Sequence, residues 1–127
     1  MEATKRLDAT EQALMLITEL SMKHGALMFY QAGGCCEGTQ PQCFEKSSFY
    51  LRTGDVCIGT IYEFEFWLDK DLFDYWKHMH FTLDVTEGIG AGGFSLETPL
   101  GKTFIIKYRL FSELELQNLE AVRINEI

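Results

Sequence analysis

Residues 55 to 68, DVCIGTIYEFEFWL, constrain the fold most, because β-branched and aromatic side chains dominate the whole stretch. Such a composition is typical of β-strands. The stretch is longer than one ordinary strand, so we predict two strands joined by a turn near Tyr62 and Glu63. A lone hairpin is only marginally stable in water, so this one must pack against further elements of the chain.

The segment before this hairpin predicts one amphipathic helix, from about residue 9 to residue 23. Asp8 is placed to cap the helix together with Glu11, and Gly25 is placed to end it. The apolar side chains on one face follow the spacing of a helix: Ala13, Leu16, Ile17 and Leu20. We expect this face to cover a sheet.

The remaining segments alternate between short strands and turns. LMFYQ (residues 27 to 31) predicts a buried strand, and SSFYL, FTLDV, GFSLE and KTFIIKYRLF predict others. LDKDLFDYWKH predicts a short helix that Asp69 caps, with Leu72, Tyr75 and Trp76 on its buried face, and Ser112 is placed to begin a C-terminal helix. We therefore predict a single β-rich α+β domain over residues 1–127, with a mostly antiparallel, sandwich-like sheet. Its core spans about residues 10–112, and residues 113–127 form a tail.

The net charge of −8 excludes two classes of partner. Nucleic acids and anionic membranes both require a basic face, which this chain lacks. The charged N-terminal segment has no signal-peptide pattern, and no apolar run is long enough to span a bilayer. We expect a cytoplasmic protein, in which the four cysteines are thiols, metal ligands or redox groups rather than disulfides.

Three of the four cysteines lie in one glycine-rich segment, QAGGCCEGTQPQC, at residues 31 to 43. Here Cys35, Cys36 and Cys43 are candidate metal ligands, because thiolates bind zinc, iron and iron–sulfur clusters. The glycines allow backbone amides to converge on an anion, which gives candidate cofactor-binding positions: Gly33, Gly34 and Gly38. Free structural thiols and a catalytic thiol, with Cys36 as nucleophile, remain alternatives. Cys57 lies in an apolar strand and is expected to be a buried, inert thiol.

The pair His78 and His80 offers a second candidate for metal binding. In an extended segment both rings would point to one side and, with Asp84 or Glu87, would provide two imidazoles and a carboxylate. Histidines between a helix and a strand are more often polar surface groups. His78 acting with the cysteine loop is the better ligand candidate, since mixed cysteine and histidine shells suit zinc.

Three longer segments form a recognisable signature: HGALMFYQAGGCCEGTQPQC, GDVCIGTIYEFEFWLDKDLFDYWKH and LDVTEGIGAGGFSLETPLGKTFIIKYRLF. On these segments the chain resembles an uncharacterised bacterial family, domain-of-unknown-function family 779, over roughly residues 10 to 112. Members are frequently encoded beside NAD-dependent aldehyde dehydrogenases. The resemblance therefore implies an accessory role in aldehyde oxidation.

A more distant resemblance is to the HesB-like, or A-type iron–sulfur carrier, family. The stretch LDVTEGIGAGGFSLETP is similar to the carriers' segment ending in G-x-G-F-x-x-x-N-P, with Thr98 in place of asparagine. This resemblance implies a HesB-like fold with Cys35 or Cys36 at the position of the first cluster ligand. The carriers' final C-x-C pair is missing after Pro99, so their own ligand set is not carried over.

Three hypotheses about function follow. The first is an accessory protein that binds zinc, iron or an iron–sulfur cluster through Cys35, Cys36, Cys43 and His78. The second is a metal-free module that binds or stabilises an aldehyde dehydrogenase, using aromatic side chains that do not fit inside. The third is an enzyme with Cys36 as nucleophile, which the lack of an adjacent base disfavours. Exposed strand edges also predict a homodimer.

Overall fold

The computed structural model describes residues 3–31, 41–88 and 95–126, and it has the predicted α+β organisation. Its longest helix, α1 (Glu11–His24), buries the predicted face. Thr10 caps the helix, because its hydroxyl accepts a hydrogen bond from the Ala13 amide at 3.2 Å. The prediction that Asp8 caps α1 was wrong, since Asp8 lies in a short strand, β1 (Leu7–Ala9). Gly25 ends α1 with a positive φ of 82°, as predicted.

A five-stranded sheet has the order β3-β2-β5-β4-β8. Its strands are β2 (Leu27–Gln31), β3 (Gln42–Glu45), β4 (Val56–Ile61), β5 (Phe64–Leu68) and β8 (Arg123–Ile124). The predicted hairpin of β4 and β5 is confirmed, with Tyr62 and Glu63 in the turn at φ 54° and 79°. β2 and β5 run parallel, whereas the other pairs in this sheet are antiparallel.

A three-stranded sheet has the order β1-β6-β7, with β6 (Met79–Glu87) in the centre and β7 (Lys102–Leu110) antiparallel to it. β1 pairs with β6 in parallel. Both sheets are thus mixed, although antiparallel pairs predominate in the described residues. The resemblance to the HesB-like fold stays a prediction.

Two predicted strands were wrong. In place of SSFYL the chain forms a 3₁₀ turn, Lys46–Ser48, after β3, and the next residues run outside the sheets. The strand that pairs with β2 is instead QCFE, which ends just before that turn. In the described part of GFSLE, residues 95–97 form a turn that leads into a second 3₁₀ helix, Thr98–Leu100.

Two short helices complete the described chain: α2 (Lys70–Trp76) and α3 (Glu113–Leu116). Ser112 caps α3 in a complete capping box with Glu115, as its position predicted. In α2 the prediction was partly wrong, because Tyr75 is 78% exposed while Phe73 packs on the core beside Leu72 and Trp76.

One apolar core lies between the two sheets and α1. Phe29 of β2 contacts Phe104 of β7 edge to face at 5.3 Å, and Phe66 of β5 contacts Phe81 of β6 in the same way at 6.5 Å. Such aromatic contacts between the sheets account for the sandwich-like packing.

A second, smaller cluster lies on the outer face of the five-stranded sheet. It contains Met28, Tyr30, Cys57 and Trp67. These residues alternate with the core-facing ones along their strands, as side chains of a strand do. Phe44, Phe49 and Leu51 pack against them, so the chain itself covers this face.

Candidate functional site

The residues on both sides of the cysteine loop are buried. Gln31, the last residue of β2, is almost fully buried, and its side-chain amide donates to the Tyr108 hydroxyl at 2.9 Å. Pro41, just before β3, is buried as well. The candidate residues inside the loop lie outside the described residues: Gly33, Gly34, Cys35, Cys36 and Gly38. Their assignment stays a prediction.

Cys43 lies in the core rather than in an open site. It pairs with Phe29 across β2 and β3 and is fully buried. Burial, and secondarily the nearby Glu97 carboxylate, raise the pKa of the Cys43 thiol well above its ordinary value. The thiol is therefore protonated at neutral pH, whereas metal binding and nucleophilic attack require the thiolate.

Beside Cys43 lies a buried polar group of residues that the sequence did not reveal. The Ser95 hydroxyl accepts the Cys43 amide hydrogen at 2.8 Å and donates its own hydrogen to Glu97. The other Glu97 oxygen accepts the Phe104 amide hydrogen at 3.1 Å. These bonds join the segment at residues 95–97 to β3 and β7. They satisfy both oxygens of a buried carboxylate, so they indicate a structural role.

His78 is exposed in the turn after α2. Its carbonyl accepts the Phe111 amide hydrogen at 3.1 Å, which fixes the backbone and leaves the ring on the surface. Among the described residues no group of three or more histidine, cysteine, aspartate or glutamate side chains could hold a metal ion. Cys43 and His78 therefore belong to no such group within this part of the chain.

His80 and His78 do not share an environment. His80 is buried, its Nε2 lies 2.8 Å from Asp8 Oδ2, and its ring meets Phe111 edge to face. Nδ1 of His80 has no hydrogen-bond partner. His80 thus joins β6 to β1 beneath Phe111, and the alternative metal site of two histidines and one carboxylate has no support here.

A polar network lies on the outer face of β2, next to the start of the cysteine loop. The Tyr30 hydroxyl donates to the buried carboxylate of Asp55 at 2.9 Å, and Arg52 contacts both Tyr30 and Asp69. Burial raises the pKa of Tyr30, so the phenol remains neutral and acts as a donor. Asp55 also accepts the Arg52 amide hydrogen at 2.7 Å, so the network holds the loop before β4.

An open, largely apolar surface lies along α1. A groove of about 960 Å³ runs between α1, the β4–β5 turn and the second 3₁₀ helix. We call it the α1 groove; its apolar wall consists of Leu14, Met15, Leu20, Met22, Tyr62 and Leu100. Met15 is 69% exposed and Met22 is 84% exposed. Met15 and Met22 do not belong to the buried face of α1, and two large apolar residues in such positions are the feature of the sequence that could have indicated this site.

The α1 groove is suited to binding rather than to covalent chemistry. Its polar residues are Glu11, Thr18, Glu19 and Lys23, and the Thr18 hydroxyl donates to the Leu14 carbonyl at 2.9 Å. Neither thiol in the described residues bonds to a histidine, and Cys57 donates to the Gly59 carbonyl at 3.4 Å. An apolar groove with a few charged groups is typical of a docking surface.

Comparison with protein-family models gives a match over most of the chain. A domain of unknown function (DUF779) matches residues 16–110, which is well over half of the chain. No curated protein and no solved structure matches the chain significantly. Within the described residues, none of the helices has the length and hydropathy of a membrane span. The matched region contains both strands of the confirmed hairpin and all but the last residue of the segments that carry the resemblance. The chain therefore belongs to the DUF779 family.

Proposed function

We propose that this chain is a cytoplasmic, bacterial accessory protein of aldehyde oxidation that acts by binding an aldehyde dehydrogenase. The resemblance to family 779 suggests an aldehyde dehydrogenase as the partner, because genes of the family frequently lie beside genes for that enzyme. The observation that carries the proposal is the exposure of Met15 and Met22 beside Tyr62 in the α1 groove. Exposed apolar surface of this kind commonly marks a protein interaction site.

The sequence suggested a different surface for this role. It predicted that a group of aromatic side chains does not all fit inside the core: Phe64, Phe66, Trp67, Tyr75 and Trp76. Phe66 and Trp67 are buried, Phe64 and Trp76 pack partly on the core, and of that group only Tyr75 is largely exposed. The α1 groove therefore supports partner binding better than those aromatic residues do.

The burial of Cys43 disfavours thiol chemistry at that residue. A thiol that stays protonated in the core neither attacks an aldehyde nor ligates a metal without a rearrangement of β3. The buried Cys57 also has a raised pKa, caused chiefly by burial. Partner binding through the groove needs neither thiol.

Co-purification with the neighbouring aldehyde dehydrogenase tests this proposal. We expect a stable complex on size-exclusion chromatography, and we expect the same complex from a variant with Cys35→Ser, Cys36→Ser, Cys43→Ala and Cys57→Ala. Alanine is chosen at the two buried positions because a serine hydroxyl there would need a hydrogen-bond partner. A wild-type chain that does not associate with the enzyme contradicts the proposal.

The second candidate is a metal or iron–sulfur site in the cysteine loop, with Cys35, Cys36, Cys43 and His78 as ligands. It is favoured by the position of Cys35 and Cys36 in the sequence, between the buried residues Gln31 and Pro41. Cys43 would have to lose its proton to take part. Anaerobic purification followed by elemental analysis tests it. The result expected is bound zinc or iron in the wild type and less in the Cys36→Ala variant, whereas no metal in either excludes the site.

A further inference from the structure

We infer that the α1 groove binds a basic amphipathic helix of the partner protein. This inference rests on the proposed function, because it names the kind of segment that the partner presents. It goes beyond that proposal by stating the shape, polarity and charge of the bound segment. Three features of the groove indicate such a ligand: its apolar wall, the two carboxylates at its margin and its concave shape.

The spacing of the apolar residues in the groove wall matches the spacing of side chains on a helical ligand. Met15 and Met22 lie seven residues apart on α1, which places them about 10 Å apart along one side of the helix. Apolar residues of a bound helix at i and i+7 have the same spacing, so two of them contact both methionines. Methionine side chains are flexible and polarizable and therefore adapt to the shape of a ligand.

The negative charge of the groove favours a bound segment that is basic. Glu11 and Glu19 both line the groove, and neither takes part in an ion pair with any described residue. The only basic residue among the described lining residues is Lys23, at the end of α1. Lysine or arginine on the margin of a bound helix would pair with these two carboxylates. The net charge of −8 also attracts a basic partner during encounter.

The same features disfavour other occupants. An anionic membrane would be repelled by Glu11, Glu19 and the net charge. A second copy of the chain would present the same concave surface in a twofold-symmetric contact, and two concave surfaces leave the space between them unfilled. The convex side of a helix fills such a groove, as in helix-in-groove recognition.

A synthetic helix provides the probe. We would use a fluorescein-labelled peptide of about 18 residues, made of leucine and lysine with leucine at i, i+3, i+4 and i+7. Two control peptides have the same length: one with the residues scrambled, and one with glutamate in place of lysine. Fluorescence anisotropy with the full chain should give saturable binding of the basic amphipathic peptide, weakened by salt. The control peptides should bind at least about tenfold more weakly.

Matched variants locate the binding surface. Met22→Asp and Tyr62→Asn should each weaken peptide binding by about tenfold or more. Asparagine is chosen because it tolerates the positive φ of 54° at Tyr62, so the β4–β5 turn is retained. The control variant is Tyr50→Asn, since Tyr50 is 89% exposed but does not line the groove. It should change binding by less than about twofold.

The outcomes separate this inference from the proposed function. Equal binding of scrambled and amphipathic peptides, binding unaffected by Met22→Asp and Tyr62→Asn, or no binding at all overturns the inference. So does a wild-type dimer in analytical ultracentrifugation that Met22→Asp dissociates, because a second copy then occupies the groove. If the aldehyde dehydrogenase binds Met22→Asp as well as the wild type, the groove inference fails while the proposed function stands. If the peptide result holds but the enzyme does not bind, the partner's identity fails and the groove inference stands.

Discussion

The described residues form two apolar surfaces outside the main core that differ in exposure: one is covered by other side chains and one is open to solvent. On the outer face of the five-stranded sheet, Met28 and Trp67 are covered by Phe49 and its neighbours. Along α1, the comparable side chain of Met22 remains exposed beside Tyr62 and Leu100. Ordering a covering segment costs conformational entropy, so an apolar surface is covered only where burial exceeds that cost.

Because of this difference in exposure, we expect the covered face to stabilise the fold and the α1 groove to be available for binding. The covered face adds contacts between aromatic rings: Tyr30 and Phe49 are tilted at 4.7 Å, and Phe44 and Phe49 are stacked at 4.8 Å. The α1 groove has no such cover among the described residues. Mutations should therefore affect stability at the covered face and binding at the groove.

The largest expected effect comes from Trp67→Ala. Trp67 is buried in the second cluster, and truncating it leaves a cavity within that cluster. We expect the free energy of unfolding to fall by about 3–5 kcal/mol, measured by urea denaturation. The matched change at the groove, Met22→Ser, should alter it by less than about 0.5 kcal/mol. Equal losses for the two variants would remove the distinction between the surfaces.

Ser95→Ala tests the buried polar group beside Cys43. It removes the acceptor of the Cys43 amide hydrogen and one donor to Glu97. Leaving these groups unsatisfied should lower the free energy of unfolding by about 1–3 kcal/mol. Because Cys43 reacts only after local opening, its alkylation by iodoacetamide should become faster in the variant, which mass spectrometry of the Cys43 peptide measures. An unchanged alkylation rate together with unchanged stability would show that Ser95 does not hold β3.

Thr10→Ala tests the start of the helix that forms one wall of the groove. Thr10 caps α1 and also donates to Asp84 at 2.7 Å. Its loss should cost about 0.5–2 kcal/mol in urea denaturation. Thr10→Ser keeps the hydroxyl and should retain most of the stability. A serine variant as unstable as the alanine variant would assign the effect to the lost methyl group rather than to the cap.

The sequence predicted the strongly patterned elements and missed those that depend on distant partners. The β4–β5 hairpin and the buried face of α1 follow local rules of composition and spacing. β1 and β8 are only three and two residues long and exist because β6 and β4 provide edges to pair with. The start of α1 was misplaced for the same reason, because pairing with β6 removes Asp8 from the capping position.

The site was harder to predict than the fold. Three cysteines close together suggested one shared site, but pairing of Cys43 with Phe29 turns its thiol into the core. Nothing local in the sequence specifies that pairing. His78 and His80 likewise separate because β6 begins at Met79, between them. Met15 and Met22 were visible in the helical pattern, but the groove also needs Tyr62 and Leu100, which only the tertiary fold brings to α1.

The smallest predicted stability effect concerns the outer face of the three-stranded sheet, which is polar. Hydrogen bonds from Lys107 and Thr10 lower the pKa of Asp84 to about 2. Because this value is below that of an unfolded aspartate, about 3.9, the contribution of Asp84 is complete above pH 4 or so and is lost as the pH falls toward about 2. Lys107 is largely exposed, so the ion pair should contribute less than about 1 kcal/mol.

Asp84→Asn should therefore lower the free energy of unfolding slightly at neutral pH and should reduce its decline between about pH 4 and pH 2. Urea denaturation across this range, with Lys107→Met as the matched variant, measures the effect. An Asp84→Asn variant with the same acid dependence as the wild type would show that the carboxyl titrates alike in the folded and unfolded chains.

The most direct test of the central claim is nuclear magnetic resonance of isotope-labelled methionine methyl groups during titration with the aldehyde dehydrogenase. Met15 and Met22 line the groove, whereas Met28 belongs to the covered cluster, so one spectrum reports both surfaces. We predict that the Met15 and Met22 signals shift and broaden on addition of the enzyme, while the Met28 signal changes little. Unchanged Met15 and Met22 signals in the presence of a formed complex would contradict binding through the α1 groove.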